Sequence, residues 1–415
     1  MGVDVADGVR GRTSSDWLVP ASAFAVNGAL YGSLLTRYPE IADRVSASET
    51  QFGVVLFAAA IGGLLGSLVA PLLARAVGER SATLLAGAGY ALLAVGVAWA
   101  PQLTLLGGAL LLLGVLDGAH DVAMNAFAVR VQQHRATTLM GRMHATWSLS
   151  LAAAGVLGTI AAGLRVPVTL HVGIAAAVAL VVQVAIALSR RGVVAGGPPA
   201  PASTSKPAQP PRSRGRLRYV LPVLGLAAVA ASYVESPGQE WTGLLLSRGF
   251  DATPQVAAAA PVLFGAGLLA SRLILDSAVA RIGQATVATI SGATMMAAAG
   301  TGLLCTLANA PAWWALAAVA VAGFGAGPAF PLLFGAADHL SVRHGIAPAR
   351  TASMVSALSR VGAISAPIVV GPLTDAFGMG MVFAIMAVGA ALVLGALPRA
   401  VRGNTYADPS RAYPS

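Results

Sequence analysis

The chain has 415 residues, of which 56% are hydrophobic and only 10% are charged, and its mean hydropathy is +0.76. Soluble domains carry roughly 25% charged residues, so the composition excludes a soluble globular protein and indicates an integral membrane protein. The net charge of +10 does not require a nucleic-acid partner, because most basic residues lie in segments between the apolar stretches. A single cysteine, Cys305, excludes a disulfide framework.

Twelve segments reach the length of about 20 apolar residues that a membrane helix needs. We therefore predict an all-α polytopic membrane protein. In the first half, the predicted spans cover residues 17–35, 52–73, 83–100, 103–129, 143–164 and 167–188. In the second half they cover residues 219–246, 255–275, 285–307, 312–336, 354–376 and 379–398.

These spans predict five parts, which are a tail (1–16), a six-helix bundle (17–188), a basic linker (189–218), a second bundle (219–398) and a tail (399–415). The linker is rich in Pro, Gly, Ala and Ser, which predicts a flexible tether; a regulatory or partner site is the alternative. In this topology 21 Lys and Arg residues fall on one side and four on the other. The bias predicts that both termini and the linker are cytoplasmic.

The two halves resemble each other weakly. Residues 63–67 of the second span match residues 267–271 of the eighth, and each span is followed by a short basic loop that contains a glycine. Parallel halves of six spans are one repeat plan of secondary transporters, whose solute site lies between the halves near the bilayer midplane.

The fourth span contains three ionisable side chains in an apolar run. Asp117, Asp121 and Asn125 recur every four residues and form one stripe on a helix, and His120 flanks that stripe. A charge at the centre of a membrane helix costs about 2.5–3.5 kcal/mol, so such residues face a protein interior or an aqueous cavity. Two carboxylates one turn apart repel each other, which favours proton binding to one of them. A structural network that ties this span to a neighbour is the alternative.

Two other spans of the first half carry polar groups, and those of the fifth can approach this stripe. His144 and Trp147 lie one turn apart at the start of the fifth span, and His144 can hydrogen-bond the acids of the fourth. Asn27 and Tyr31 lie one turn apart in the first span. Each can contact a solute, but a helix–helix contact or, for Trp147, an interfacial position is equally compatible with the sequence.

The seventh span carries an acid at mid-depth. Glu235 is followed by Ser236, Pro237 and Gly238, and the proline and glycine predict a break or kink in the helix. Irregular backbone at membrane depth is tolerated where it is buried in protein or lines a cavity, so the sequence predicts a discontinuous helix at a binding site. Glu240 and Trp241 follow; Trp241 either stacks on a solute or anchors the helix at the interface.

Arg360 lies in the eleventh span, and it cannot lose its charge. We expect it to pair with a carboxylate, an anionic solute or water, and the carboxylates in question are Asp117, Asp121 and Glu235. A purely structural salt bridge is the alternative.

The whole chain resembles the major facilitator superfamily, and three local patterns resemble its bacterial fucose-permease-like branch and uncharacterised inner-membrane relatives. These patterns lie at residues 37–53, at residues 121–148, and at Glu235 with Glu240 and Trp241. The resemblance implies twelve helices, alternating access driven by an ion gradient, and placement in the inner membrane. The superfamily's loop signature is degenerate in the first half, and the implied gating-loop residues are Arg75, Gly78, Arg80, Asp276, Arg281 and Gly283.

The sequence therefore predicts a proton-coupled secondary transporter for a small polar organic solute. We expect a monomer in the lipid bilayer with no cofactor, no metal and no nucleic acid; the chain contains no P-loop. Alternatives are proton antiport of an endogenous metabolite or antibiotic, a membrane-embedded enzyme, and a receptor that binds solute without transporting it.

Overall fold

The computed structural model describes residues 17–135, 138–189, 214–344 and 348–401. Nearly all of these residues are helical, and the described part contains no strand. The helices in chain order are α1 (Leu18–Leu35), α2 (Tyr38–Arg44), α3 (Glu49–Val77), α4 (Glu79–Trp99), α5 (Leu103–Arg135), α6 (Met140–Gly163), α7 (Val168–Leu188), α8 (Arg214–Glu240), α9 (Thr242–Gly249), α10 (Pro254–Ile282), α11 (Gln284–Leu307), α12 (Ala312–Ala326), α13 (Ala329–His344), α14 (Pro348–Phe377) and α15 (Met381–Val401).

The helices confirm the predicted all-α polytopic fold. Eleven stretches of the described chain are long and apolar enough to cross a membrane, and α12 and α13 together form one of them. The remaining predicted span, the seventh, corresponds to the 27-residue helix α8. Residues 100–102 alone separate α4 from α5, close to the predicted boundary between the third and fourth spans.

The described residues divide into two compact units. The first unit consists of residues 17–37, 58–135, 138–161 and 166–189, and the second of residues 38–57, 162–165, 214–344 and 348–401. Two short segments that the sequence assigned to the first bundle, 38–57 and 162–165, thus belong to the second unit. The tails 1–16 and 402–415 and linker residues 190–213 lie outside the described part of the chain.

The same helix pairs recur in both units. In the first unit α4 packs against α5 and α7, and α1 packs against α7. In the second unit α11 packs against α12 and α15, and α8 packs against α15. In the first unit, therefore, the third span packs against the fourth and the sixth, and the first span packs against the sixth. In the second unit the ninth span packs against the tenth and the twelfth, and the seventh span packs against the twelfth. The internal repeat predicted from the sequence is therefore present in the packing.

Two glycines mark the same turn in each half. Gly78 joins α3 to α4 with φ +83° and ψ 153°, and Gly283 joins α10 to α11 with φ +78° and ψ 153°. Residues with a Cβ rarely adopt this backbone conformation, so a glycine is needed in both turns.

Glycines also bring equivalent helices into backbone contact. A Cβ at Gly118 of α5 would overlap the carbonyl oxygen of Gly63 on α3, and one at Gly114 would overlap that of Ala59. In the second unit, a Cβ at Gly323 of α12 would overlap the carbonyl oxygen of Phe264 on α10. Small residues at such contacts allow close van der Waals packing, which is a main source of helix association in lipid.

The helix is not interrupted at Pro237 and Gly238, so the discontinuity predicted there is wrong. Helix α8 continues through both residues to Glu240, and the interruption falls at Trp241, before α9. Gly238 has a packing role instead, because a Cβ there would overlap the ring of Phe264 on α10. That packing supports the helix where the proline removes a backbone hydrogen bond.

Other helix boundaries also differ from the sequence prediction. The predicted tenth span, 312–336, is interrupted at Gly327 and Pro328. In the predicted gating loops, Arg75, Asp276 and Arg281 lie within helices α3 and α10 and not in loops. Gly78 and Gly283 alone of that set lie between helices, whereas Arg80 lies in the first turn of α4.

We expect Gly118→Ala to destabilise the protein, because the contacted atom is a backbone carbonyl that cannot rotate away. The expected cost is about 1–3 kcal/mol, as for overpacked cores, and it is measured as a lower melting temperature in detergent. The matched control is Gly108→Ala on the same helix, where nothing lies within 4 Å of the added Cβ. Equal melting temperatures for the two variants would contradict the close α3–α5 contact.

Candidate functional site

Asn27 of α1 is the centre of a polar cluster in the first unit. The indole Nε1–H of Trp147 on α6 donates to its Oδ1 at 2.7 Å, and its Nδ2 donates to Asp117 Oδ1 at 2.7 Å. The same Nδ2 lies 3.3 Å from Nδ1 of His120. We call these four residues the Asn27 cluster.

The hydrogen-bond roles within the Asn27 cluster are fixed by chemistry. An indole nitrogen can only donate, so the atom of Asn27 that faces Trp147 must be the carbonyl oxygen. The amide NH₂ group of Asn27 therefore points towards Asp117 and His120, and both of these must accept from it. Asn27 is 5% exposed, so an unsatisfied amide atom there would be costly.

Local sequence explains how three helices bring these groups together. Gly28 follows Asn27, and a Cβ at that position would overlap the backbone carbonyl of Trp147, so the glycine allows α6 to approach α1. On the continuous helix α5, Asp117 and His120 are three residues apart and therefore face the same neighbour.

The members of the cluster differ in solvent exposure. Asp117 is half-buried, whereas His120 is 0% exposed. The ring of Tyr31 stacks on that of Trp147, with centroids 6.4 Å apart and an interplanar angle of 26°. The aromatic pair beside a half-buried carboxylate is a surface on which a flat or cyclic solute can lie.

The second unit contains a separate ionic group on α8. Glu235 Oε2 lies 3.6 Å from Nη2 of Arg272 on α10, and Glu235 Oε1 accepts from Gln239 Nε2 at 3.2 Å. The Nε of Arg272 also donates to the carbonyl oxygen of Gly327 at 3.1 Å. Arg272 thus connects α8 and α10 to the interruption between α12 and α13.

Arg272 is the functional candidate that the sequence analysis missed. It is one of the 21 Lys and Arg residues assigned to the cytoplasmic side, but α10 continues for ten residues beyond it to Ile282, about 15 Å along the helix axis. Its own position inside the predicted eighth span was the available signal. Arg272, and not Arg360, is therefore the partner of Glu235.

The remaining acid of this group, Glu240, accepts a hydrogen bond from Ser236 at 3.0 Å on the same helix. The neighbouring Trp241 is 0% exposed, and its ring meets Phe52 edge to face at 5.7 Å. A solute cannot stack on a side chain that is enclosed in this way. The proposed solute contact of Trp241 is therefore corrected to a packing contact.

Four other predicted site residues are not members of the Asn27 cluster. Asp121 and Asn125 bond to each other along α5, with Asn125 Nδ2 3.1 Å from Asp121 Oδ1. His144 is exposed and meets the ring of Phe24 edge to face at 5.6 Å, so its predicted hydrogen bond to the acids of α5 is not made. Arg360 is exposed on α14.

Of the predicted gating residues, one caps a neighbouring helix and three are exposed. Arg80 donates to the carbonyl oxygens of Ile186 and Ser189 and so caps the end of α7 within the first unit. The neighbouring Glu79 forms a salt bridge with Arg130 of α5. Arg75, Asp276 and Arg281 are exposed. In the described residues, no three His, Cys, Asp or Glu side chains converge as metal ligands would.

The comparisons with known proteins agree on one family. A family model described as Major Facilitator Superfamily matches residues 21–352. A Sinorhizobium fredii protein named uncharacterized transporter y4wD is 28% identical over 394 residues, covering 92% of this chain and 97% of its own length. Membrane protein MosC of Rhizobium meliloti is 25% identical over 375 residues, covering 89% of this chain and 86% of its own.

Solved structures share the fold. The crystal structure of the nucleoside transporter NupG matches with a TM-score of 0.69 at 12% identity, and a mutant of NupG matches with 0.73 at 13% identity. Each alignment covers 93% of this chain and 99% of the solved chain. At this identity the likeness establishes the architecture.

The ion pair on α8 generates a stability prediction. Arg272→Gln should lower the melting temperature, because it leaves the carboxylate of Glu235 without its cation; the double variant Arg272→Gln/Glu235→Gln should recover part of the loss. We expect a coupling of about 1 kcal/mol, since Arg272 is 40% exposed and solvent screens the pair. Arg360→Gln, at an exposed position, is the control, and additive single effects would contradict the pairing.

Proposed function

The chain belongs to the Major Facilitator Superfamily, and we propose that it is a proton-coupled transporter of a small polar organic solute that works by alternating access. Members of the family are transporters and not enzymes, so the alternative of a membrane-embedded enzyme is set aside. The multi-pass fold is consistent with a bacterial inner membrane. The alternating-access cycle, the proton coupling and the class of solute are proposals.

The observation that carries the proton coupling is the environment of Asp117. This carboxylate lies within the 33-residue helix α5 and is held by a neutral amide, that of Asn27, at 2.7 Å. Among the described residues no Lys, Arg or His side chain forms a salt bridge with it. A carboxylate without a counterion in an apolar helix is stabilised by binding a proton, and its half-buried position gives a proton a way in and out.

The residues around Asp117 support a solute that carries hydroxyl or amide groups and a flat or cyclic face. Trp147 and Tyr31 provide the stacking surface, and Asp117 accepts hydrogen bonds. The second unit, taken by itself, also has a polar acceptor and donor in Glu235 and Arg272, and the hydroxyl of its Tyr233 shares a hydrogen bond of 2.9 Å with Ser365. Sugars, nucleosides and related polar metabolites have this chemistry.

A group of charges in the second unit supports a gating role for residues 38–57, the first segment of that unit. Arg248 of α9 donates to Asp43 at 2.7 Å and to Glu49 at 3.1 Å, and Thr50 donates to Asp375 of α14 at 2.6 Å. Burial lowers the pKa of Arg248, but the hydrogen bonds to Asp43 and Glu49 outweigh burial and hold that pKa above its ordinary value. Arg248 therefore stays charged in this contact.

The same binding chemistry serves uptake by symport and export by antiport, since a transport cycle is reversible. We propose that both termini and the central linker face the cytoplasm, on the basis of the arginine and lysine distribution. With Arg272 inside α10, the count on the cytoplasmic side falls by one and the bias remains.

Asp117→Asn should abolish proton-coupled flux while leaving the protein folded, because asparagine keeps the shape and cannot exchange a proton. A thermal-shift screen of the purified protein against sugars, nucleosides and amino acids first identifies a solute that stabilises it. A pH-sensitive dye inside proteoliposomes then records whether that solute, added outside, moves protons, and the sign of the change distinguishes symport from antiport.

The control is Asp251→Asn, an exposed acid between helices with φ +47°, a conformation that asparagine also accepts. We expect this control to transport protons like the wild type. Wild-type proton movement in Asp117→Asn would remove Asp117 from the mechanism.

The gating role predicts that a covalent link between Thr50 and Asp375 stops transport. Thr50→Cys/Asp375→Cys in a Cys305→Ser background should lose solute flux after oxidation and regain it after reduction. Each single cysteine variant should be insensitive to oxidation. Full flux through a quantitatively cross-linked double variant would show that this contact does not open during the cycle.

A further inference from the structure

Three buried polar atoms lie behind the Asn27 cluster without a hydrogen-bond partner. They are Nε2 of His120 and both polar atoms of the Gln183 amide, Nε2 and Oε1. His120 is 0% exposed and Gln183 on α7 is 3% exposed. Buried polar groups are nearly always hydrogen-bonded, so three in one place call for an explanation.

The two side chains meet beside Gly87 of α4. A Cβ at Gly87 would overlap the amide nitrogen of Gln183 and lie 2.9 Å from Nε2 of His120. The glycine therefore leaves the space in which the imidazole and the amide approach each other.

The Asn27 cluster determines which nitrogen of His120 carries hydrogen. Trp147 fixes the orientation of the Asn27 amide, so the group 3.3 Å from Nδ1 of His120 is an NH₂ donor. Nδ1 must then be the bare nitrogen that accepts. A neutral imidazole with a bare Nδ1 carries its hydrogen on Nε2, which is a donor. Nε2 of His120 consequently needs an acceptor, and the amide nitrogen of Gln183 cannot be one.

We infer that Gln183 turns its carbonyl oxygen, and not its amide nitrogen, towards Nε2–H of His120, and that Gln183 thereby acts as a positioning residue for the Asn27–Asp117 pair. A rotation of the terminal amide by 180° exchanges its two nearly isosteric atoms, and a further shift of the side chain towards His120 makes the required bond. One polar chain then runs from Trp147 through Asn27 and His120 to Gln183. It connects α6, α1, α5 and α7.

Through this series of hydrogen bonds, Gln183 affects the position of the Asn27 amide that contacts Asp117. With Nε2–H bonded to Gln183, Nδ1 of His120 stays an acceptor and helps hold the amide that contacts Asp117. Without the Gln183 carbonyl, the hydrogen can move to Nδ1, where it would face the NH₂ group of Asn27 and repel it. The consequence for transport rests on the proposed function, whereas the hydrogen-bond assignment does not.

Nitrogen-15 NMR of the detergent-solubilised full chain, labelled at histidine, tests the assignment. The resonances distinguish a protonated from a bare ring nitrogen, and His120 is identified by comparison with His120→Asn. If that variant does not fold, a variant in which the other five histidines are replaced identifies it instead. We expect hydrogen on Nε2 and a bare Nδ1. Hydrogen on Nδ1, alone or with Nε2, would overturn the inference.

Two variants test the part played by Gln183. Gln183→Met keeps the volume but removes the acceptor, and Gly87→Ala displaces the amide; each should change the Nε2 resonance of His120. Gly96→Ala, on the same helix with its nearest neighbour 3.9 Å away, should leave that resonance unchanged. An unaltered His120 spectrum in folded Gln183→Met would overturn the role of Gln183.

Measuring solute-driven proton movement beside the NMR result distinguishes this inference from the proposed function. If His120 has the expected tautomer and Gln183→Met changes it, but no solute moves protons, the inference stands and the proposed coupling fails. If protons move with solute and His120 has the other tautomer, the inference fails and the coupling stands.

Discussion

The polar interior of the first unit depends on the hydrogen bond from Trp147 to Asn27. An indole nitrogen has no lone pair to offer, so this bond of 2.7 Å removes the ambiguity of the Asn27 amide. The direction of every other hydrogen bond in the Asn27 cluster follows from it. Asp117 receives a donor that carries no charge, and the proposed proton exchange depends on this neutral contact.

Such a cluster can exist in an apolar protein because glycines bring the helices close enough for short side chains to meet. Gly28 places the backbone of α6 against α1 next to Asn27, and Gly87 makes room for Gln183 and His120. The glycines of α3 and α5 and those of α10 and α12 form equivalent contacts in the two units. Because lipid provides no hydrophobic drive between helices, these close contacts supply much of the packing energy.

Much of the fold was predictable because its signals are local. The length and apolar character of each span, the proline between α4 and α5, and the glycines at 78 and 283 define structure within a few residues of themselves. The polar stripe on α5 was predictable for the same reason, since helical periodicity places Asp117 and His120 on one side.

The partners of the polar residues could not be predicted, because they depend on which helices touch. The role of Arg272 was missed because its pairing with Glu235 joins α10 to α8. Trp241 looked accessible because nothing in the sequence shows that Phe52 packs against it. Pro237 looked like a helix breaker because the packing of Gly238 against Phe264 is a tertiary contact. Each error concerns an interaction between residues far apart in the chain.

Proton binding at Asp117 is most directly measured by infrared difference spectroscopy of the purified protein during a pH titration. We expect a carbonyl stretching band of a protonated carboxylic acid that appears on acidification, is absent in Asp117→Asn and shifts when Asn27→Leu removes the amide donor. A spectrum in which every such band survives in Asp117→Asn would show that Asp117 does not exchange protons.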